Sequence, residues 1–408
     1  MSYALDRMKE RMGSEGISAG WQQSHVEEDI AKLTQDDLEA LDGDPTSYEV
    51  IIHRMREVRR CLNGLYAEKE EIVELLMACA VAQVPMVLLG PPGTAKSALV
   101  RSFCETLGLR AEHENIGQFE QAVQENLQAI QDSVAPPKAL RKEDRPLFEY
   151  LVTRYTTPEE ILGTVNIDAM LKLSMFFRDS RGMLPKAHIA FLDEIFKANS
   201  AILNALLSII NERIYYNAGR AFDVDLVTIY GASNEAPDTE ELAALYDRFP
   251  IRAVSDPVRD SAVDRMMANS VEMAYDRAVR PSGDGGQPTR LRPIAAVNDF
   301  RLLSRINYVK YGGRELFFGD GKAGGKRQFS FAAEFKGMFK ALRDEFGISD
   351  RTPERLLRVA KALALLEGAE ELTPDHLRVF QYCAPNAEAA RVLREVVAET
   401  IEGMKANV

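Results

Sequence analysis

Apolar positions change their spacing several times along the chain, and each change marks an element. From Tyr48 onward, Ile51, Ile52, Met55, Val58, Leu62 and Leu65 recur every three or four positions, and a second such run covers Glu70 to Ala82. Two helices are therefore expected to lead into the core. Pro85 to Leu89 breaks that rhythm. A short apolar run ending in a glycine is the pattern of a buried parallel strand feeding a loop, with a helix expected from about Ala95 to Leu107. Phe148 to Tyr155, Ile189 to Asp193, Leu226 to Ala232 and Ile251 to Val254 repeat the strand pattern, separated by helical segments. That alternation predicts an α/β fold, a parallel sheet between helices.

Breaks in the pattern divide the chain. Residues 1–45 are polar and acidic with loose periodicity, and read as an N-terminal extension. A polar stretch over 108–146, whose Phe119, Val123, Leu127 and Ile130 mark one helix face before Ala135-Pro-Pro137, reads as an insertion in a core spanning 46–280. The Gly- and Pro-rich segment from Pro281 to Pro293 separates this core from a smaller, all-helical remainder over 281–408. Within that remainder, six glycines between Gly312 and Gly325 are too many for a helix and predict a loop.

Composition changes this picture only by exclusion. With 46% hydrophobic and 27% charged positions in 408 residues, the chain can bury more than one core. No stretch reaches the roughly 18 uninterrupted apolar residues of a membrane span, and Met1 to Gly20 carries charges throughout, so a cytoplasmic protein is expected. A net charge of −12 works against non-specific attraction to nucleic acid. Cys61, Cys79, Cys104 and Cys383 show no zinc or disulfide spacing and read as buried thiols, while the five histidines form no ligand set.

The candidate chemistry begins where the first strand ends. Gly90-Pro91-Pro92-Gly93-Thr94-Ala95-Lys96-Ser97, between a strand and a helix, is a phosphate-binding loop with alanine at 95 where the usual pattern has glycine. Main-chain N–H groups and the helix N-terminus would hold phosphate, Lys96 would reach the β- and γ-phosphates, and the Ser97 hydroxyl would ligate Mg²⁺. Alanine at 95 is tolerable if its φ is helical. Ile189 to Asp193 with Glu194 is an apolar strand ending in two carboxylates: Asp193 for the magnesium shell, Glu194 as the base that orients and deprotonates water. Asn234, closing the next apolar strand, can hydrogen-bond the γ-phosphate or that water, although alone it would be a turn residue. Arg248, in Leu245-Tyr-Asp-Arg-Phe-Pro250, is placed to reach a neighbouring subunit's nucleotide; a surface pair with Asp247 is its alternative and Arg213 its rival. Arg351 opens a long helix, where its charge opposes the dipole unless an anion such as the nucleotide offsets it; a solvated side chain is the alternative.

Together these residues resemble the MoxR branch of the AAA+ ATPases, and within it RavA-like proteins. The resemblance rests on GPPGTAKS at 90–97, FEYLVTRYTTPEEILG at 148–163, GMLPKAHIAFLDEIFKANSAILNALLSIINER at 182–213, ASNEAP at 232–237 and ALYDRFPIR at 244–252. It covers residues 60–260 well and the helical lid mainly at SDR, 349–351, and KALALLEG, 361–368. The resemblance implies an AAA+ P-loop core with a helical lid and ATP with Mg²⁺ at subunit interfaces of a hexameric homo-oligomer. It supports Lys96, Ser97, Asp193, Glu194, Asn234, Arg248 and Arg351 in the roles above, and alanine at 95 fits that branch. It also implies chaperone-like remodelling or maturation of a protein client with a von Willebrand factor A domain partner. The chain departs from it in the 108–146 insertion, in the 312–325 loop and in ending after the lid, without room for the further C-terminal domain of RavA-like proteins.

Between the second and third core strands, Met170, Leu173, Met175, Phe176 and Phe177 form an apolar segment. Met175, Phe176 and Phe177 are expected either to grip a client from a ring pore or to pack on the core. Three functions share this chemistry: an ATP-driven remodeler, a nucleotide-gated scaffold with slow turnover, and a DNA-associated motor, which the acidic balance disfavours. No Asn-Lys-x-Asp segment reads guanine, so adenine nucleotide is expected.

Overall fold

The structure, a computed structural model, describes residues 45–109, 146–237, 239–279, 293–310, 332–369 and 372–406. The expectations for the N-terminal extension, for nearly all of the 108–146 insertion, for the boundary segment and for the 312–325 loop lie outside the described residues.

All five expected strands form one parallel sheet. Met86–Leu89 (β1), Leu147–Leu151 (β2), Ile189–Asp193 (β3), Thr228–Ser233 (β6) and Ile251–Val254 (β7) pair in the order β2-β3-β6-β1-β7. β6 thus lies between β1 and β3, which places the end of the fourth apolar run between the phosphate loop and the carboxylates. β1 and β6 are buried throughout, as expected of a sheet covered on both faces. A separate antiparallel hairpin, Ile214–Asn217 (β4) with Arg220–Asp223 (β5), turns through Ala218 and Gly219, both at positive φ. That geometry matches the twist of a two-residue hairpin.

Helices cover both faces. Pro45–Leu65 (α1), Glu70–Ala82 (α2) and Lys96–Thr106 (α3) precede β2; Pro158–Leu162 (α4), Ile167–Leu173 (α5), Ser200–Glu212 (α6) and Glu240–Tyr246 (α7) lie among the later strands. Val263–Val279 (α8), Val297–Lys310 (α9), Ala332–Phe346 (α10), Thr352–Glu367 (α11) and Ala387–Ala406 (α12) complete the chain, with a 3-10 segment over Pro374–Cys383. One buried cluster joins Leu88, Phe191, Tyr230 and Ile251 of the sheet to α1, α2, α3 and the C-terminal helices, with Phe103 set edge-on to Tyr230 and Phe300. The other cluster packs Val87, Leu192 and Ile229 against Ile202, Leu206 and Ile209 of α6. The C-terminal helices therefore share their core with the α/β part instead of packing separately.

α11 runs antiparallel to α2. At one end of α2, Glu74 meets Arg378, which also holds Glu367 at the end of α11. Burial alone would raise the Glu367 pKa, but His376 and Arg378 outweigh it and hold the carboxyl down to about 2. At the other end, Gln83 accepts from Arg213, whose cationic neighbours are Arg355 and Arg358 of the first turns of α11. The start of α11 thus lies at the N-terminal ends of the strands.

Candidate active site

β1 ends at Leu89 and the chain turns through Gly90, whose φ of +144° is open to glycine; a Cβ there would lie 2.4 Å from the Ser255 carbonyl oxygen. Ser255, next after β7, donates its N–H to the Leu89 carbonyl at 2.7 Å and its hydroxyl to that of Thr94 at 2.9 Å. The Thr94 hydroxyl donates back to the Pro91 carbonyl at 2.9 Å. The loop is thus strapped to the neighbouring strand.

Ala95 departs from its expectation. Its φ is +62°, left-handed and not helical, immediately before α3. The position needs glycine's freedom and is filled by an alanine at a cost of roughly 1–2 kcal/mol.

Lys96 Nζ donates to the Gly90 carbonyl, to the Pro91 carbonyl at 2.9 Å and to Asn234 Oδ1 at 3.2 Å. Burial holds its pKa below the ordinary lysine value, against the pull of Asp193 and Glu194. The Ser97 hydroxyl donates to Asp193 Oδ2 at 2.7 Å. Asp193 Oδ1 accepts the Glu194 N–H at 3.0 Å, and Glu194, at φ +54°, turns its carboxylate to accept from Asn234 Nδ2 at 2.7 Å. The structure thus brings the loop lysine, serine, two carboxylates and asparagine into one connected network at the C-terminal ends of β1, β3 and β6.

Ser97 Oγ and Asp193 Oδ2 form a hard-oxygen pair that suits Mg²⁺, which keeps several waters and takes phosphate oxygens for the rest. Among the described residues no group of three or more His, Cys, Asp or Glu could hold a metal on protein ligands alone.

The arginines lie elsewhere. In the parallel register Met86 is opposite Ile251 and Leu89 opposite Val254, so Arg248 stands before the start of β7, at the end of the sheet away from Gly90. Arg351 precedes α11 by one position and falls at that same end; its side chain is exposed. Neither is brought to the phosphate loop of its own chain. Arg248 pairs with Asp247 at 2.8 Å, while its buried Nε has no acceptor. The rival Arg213 is committed inside the chain: it donates to the Gln83 and Val227 carbonyls at 3.1 and 3.2 Å, and burial lowers its pKa to about 10.

Three neighbours escaped the sequence reading. Lys197 Nζ lies 3.5 Å from Glu194 Oε2, an i,i+3 spacing visible in the sequence once the turn after β3 is known. Lys69, at the start of α2, is buried with its ammonium on the Asp256 carbonyl beside the loop strap. Arg355 donates to the Arg248 carbonyl across 107 positions, a contact no local pattern signals.

The apolar segment is exposed. α5 has no buried residue, and Ile167, Leu171, Leu173 and Phe176 stand well out of the surface, with Phe177 partly so. Its base is clasped to the hairpin by reciprocal bonds: the Arg178 N–H donates to Asn217 Oδ1, and Asn217 Nδ2 donates to the Arg178 carbonyl, both at 2.8 Å.

A family model described as the MoxR domain in MoxR-vWA-beta-propeller ternary systems matches residues 53–122 and 139–282, more than half of the chain. The chain belongs to the MoxR family. Two uncharacterized proteins of Methanocaldococcus jannaschii are each 39% identical to it, over 51% and 50% of this chain and 46% and 45% of theirs. A structural protein of Acidianus two-tailed virus is 27% identical over 63% of this chain and 42% of its own. The chain thus spans about half the length of these curated relatives. A solved structure from Cytophaga hutchinsonii, for which ATPase activity has been suggested, superposes with a TM-score of 0.57 at 15% identity, covering 90% of this chain and 98% of that one. The fold is that of an AAA+ core followed by helices. The matching model describes ternary systems with vWA and β-propeller components and does not name the RavA-like branch. Among the described residues no helix is long and apolar enough to cross a membrane.

Proposed function

We propose that this MoxR-type ATPase binds ATP with Mg²⁺ at residues 90–97 and hydrolyses it in a homo-oligomeric ring, hexameric as in RavA-like relatives, to remodel or mature protein complexes. One observation carries the reading: the continuous network from Lys96 through Asn234 to Glu194, beside the Ser97–Asp193 pair. Main-chain amides and Lys96 bind phosphate, Ser97 and Asp193 hold the metal, Asn234 orients the γ-phosphate side and Glu194 takes a proton from water. When bound, the metal supplies charge neutralisation at the phosphates.

Arg248 stands at the end of the sheet opposite its own loop, which supports a role at a neighbour's nucleotide. Arg351, at the same end, is proposed to act there with it. The family's vWA and β-propeller systems support a vWA partner, and the exposed Phe176 and Phe177 support contact with a protein client. Glu194→Gln tests the core of this reading. It is expected to keep ATP affinity and lose turnover by about a hundredfold or more; turnover at the wild-type rate would remove the assigned base. Phe176→Ala with Phe177→Ala is expected to spare basal turnover and impair client remodelling.

One observation favours a slower, gated variant. Both Glu194 oxygens are engaged, Oε1 by Asn234 and Oε2 by Lys197, which reduces the carboxylate's freedom to accept a proton. Turnover measured with and without the vWA partner separates the two: a remodeler turns over steadily with client, a gated scaffold only when the partner is added.

A further inference from the structure

Four guanidiniums gather at the N-terminal ends of the strands: Arg213 has Arg355 and Arg358 as electrostatic neighbours, and Arg355 has Arg358 and Arg248. The carboxylates among them are Asp247, on Arg248, and Glu354, 3.6 Å from Arg358. Crowding partly buried cations beyond their counter-charges is unfavourable, and burial first, then Arg358 and Arg248, lowers the Arg355 pKa. A neutral side chain could brace two helices without that penalty. The arrangement fits a site that receives an anion from outside the chain, and the buried Arg248 Nε has no hydrogen-bond acceptor within it.

Within the cluster, Arg355 makes the contacts that set geometry. Its Nη1 donates to the Arg248 carbonyl at 3.0 Å and its Nη2 to Asn211 Oδ1, in the last turn of α6, at 3.2 Å. One planar group therefore joins α11, the turn carrying Arg248 and the end of α6. A lysine, with a single point of donation on a flexible stem, could not hold both acceptors in fixed relation. Among the described residues the Arg248 side chain bonds the adjacent Asp247, so its reach depends on where its main chain is held.

We propose that Arg355 is a positioning residue that fixes the Arg248 main chain, and thereby couples the placement of α11 in one subunit to hydrolysis in the next. The proposal rests on the reading of Arg248 as acting on a neighbour's nucleotide. In the assembled protein with ATP and Mg²⁺, Arg355→Ala is expected to lower kcat roughly ten- to a hundredfold, with KM for ATP within about twofold. Arg248→Ala with Arg355→Ala should be no slower than Arg248→Ala alone. Mixing Arg355→Ala subunits with Lys96→Ala subunits should raise turnover above that of either variant alone, because a working pocket whose neighbour is a Lys96→Ala subunit meets an Arg248 still held by Arg355.

Wild-type turnover in Arg355→Ala, additive loss in the double variant, or no recovery on mixing overturns the proposal while leaving Arg248 its role. Unchanged turnover in Arg248→Ala overturns both. Should Arg355→Ala fail to fold, Asn211→Ala removes the other anchor. It is expected to give a smaller kcat loss that again vanishes on the Arg248→Ala background; an additive loss there also overturns the proposal.

Discussion

The two ends of one parallel sheet are built on opposite principles. At the C-terminal ends, short polar side chains and one lysine satisfy one another: Lys96, Asn234, Glu194, Asp193 and Ser97 form a continuous chain of hydrogen bonds. At the N-terminal ends, long cationic side chains crowd together, and the buried Nε of Arg248 is left without a hydrogen-bond acceptor. The first end is preorganised, its polar groups already paired with one another. The second holds four guanidiniums that meet the carboxylates of Asp247 and Glu354 among the described residues. The contrast teaches that one sheet can present a paired polar network at one end and a cationic cluster at the other without either touching the other.

Variants can break that contrast. Removing the guanidinium in Arg248→Ala is expected to slow the assembled enzyme by about a thousandfold, the lower range for a trans-acting arginine, with little change in ATP affinity; steady-state kinetics check both numbers. Lys96→Ala acts on the opposite end and is expected to weaken ATP binding by about a hundredfold, read by nucleotide titration, because charge-assisted contacts contribute roughly 1.5–3 kcal/mol each. Arg213→Met asks whether a guanidinium of the cluster can be purely internal. It leaves the Gln83 and Val227 carbonyls without this donor and is expected to cost about 2 kcal/mol of stability by denaturant unfolding, with kcat per folded subunit unchanged. The smallest effect is expected from Ala95→Gly, which relieves the left-handed strain at φ +62° and should raise stability by roughly 0.5–1 kcal/mol.

Legibility followed the same divide. The strands could be read because each apolar run stops at a residue with chemistry or turn character, Gly90, Asp193 or Asn234, and those stops are the cradle itself. The run from Phe148 was read too long. β2 ends at Leu151 because Thr153 and Thr156 close a local turn, the Thr156 hydroxyl accepting the Thr153 N–H at 2.8 Å. Ala95 misled because its side chain says nothing of a backbone angle dictated by the loop around it. The hairpin at 214–223 escaped because its turn is Ala-Gly and lacks the stronger Asn-Gly or Asp-Gly signal. The arginine cluster could not be read at all: Arg213, Arg248 and Arg355 are scattered in sequence and meet only because α11 lies back along α2.

The clasp between Arg178 and Asn217 has a mechanical consequence. β4 follows α6 directly, and α6 begins just after the turn that carries Glu194 and Lys197, its first turn fastened where Asn199 accepts the Ile202 N–H. Thirteen helical residues make a rod about 20 Å long. A small tilt at its root is magnified at its far tip, and because Asn217 grips Arg178 from both sides, the outstanding Phe176 must travel with it.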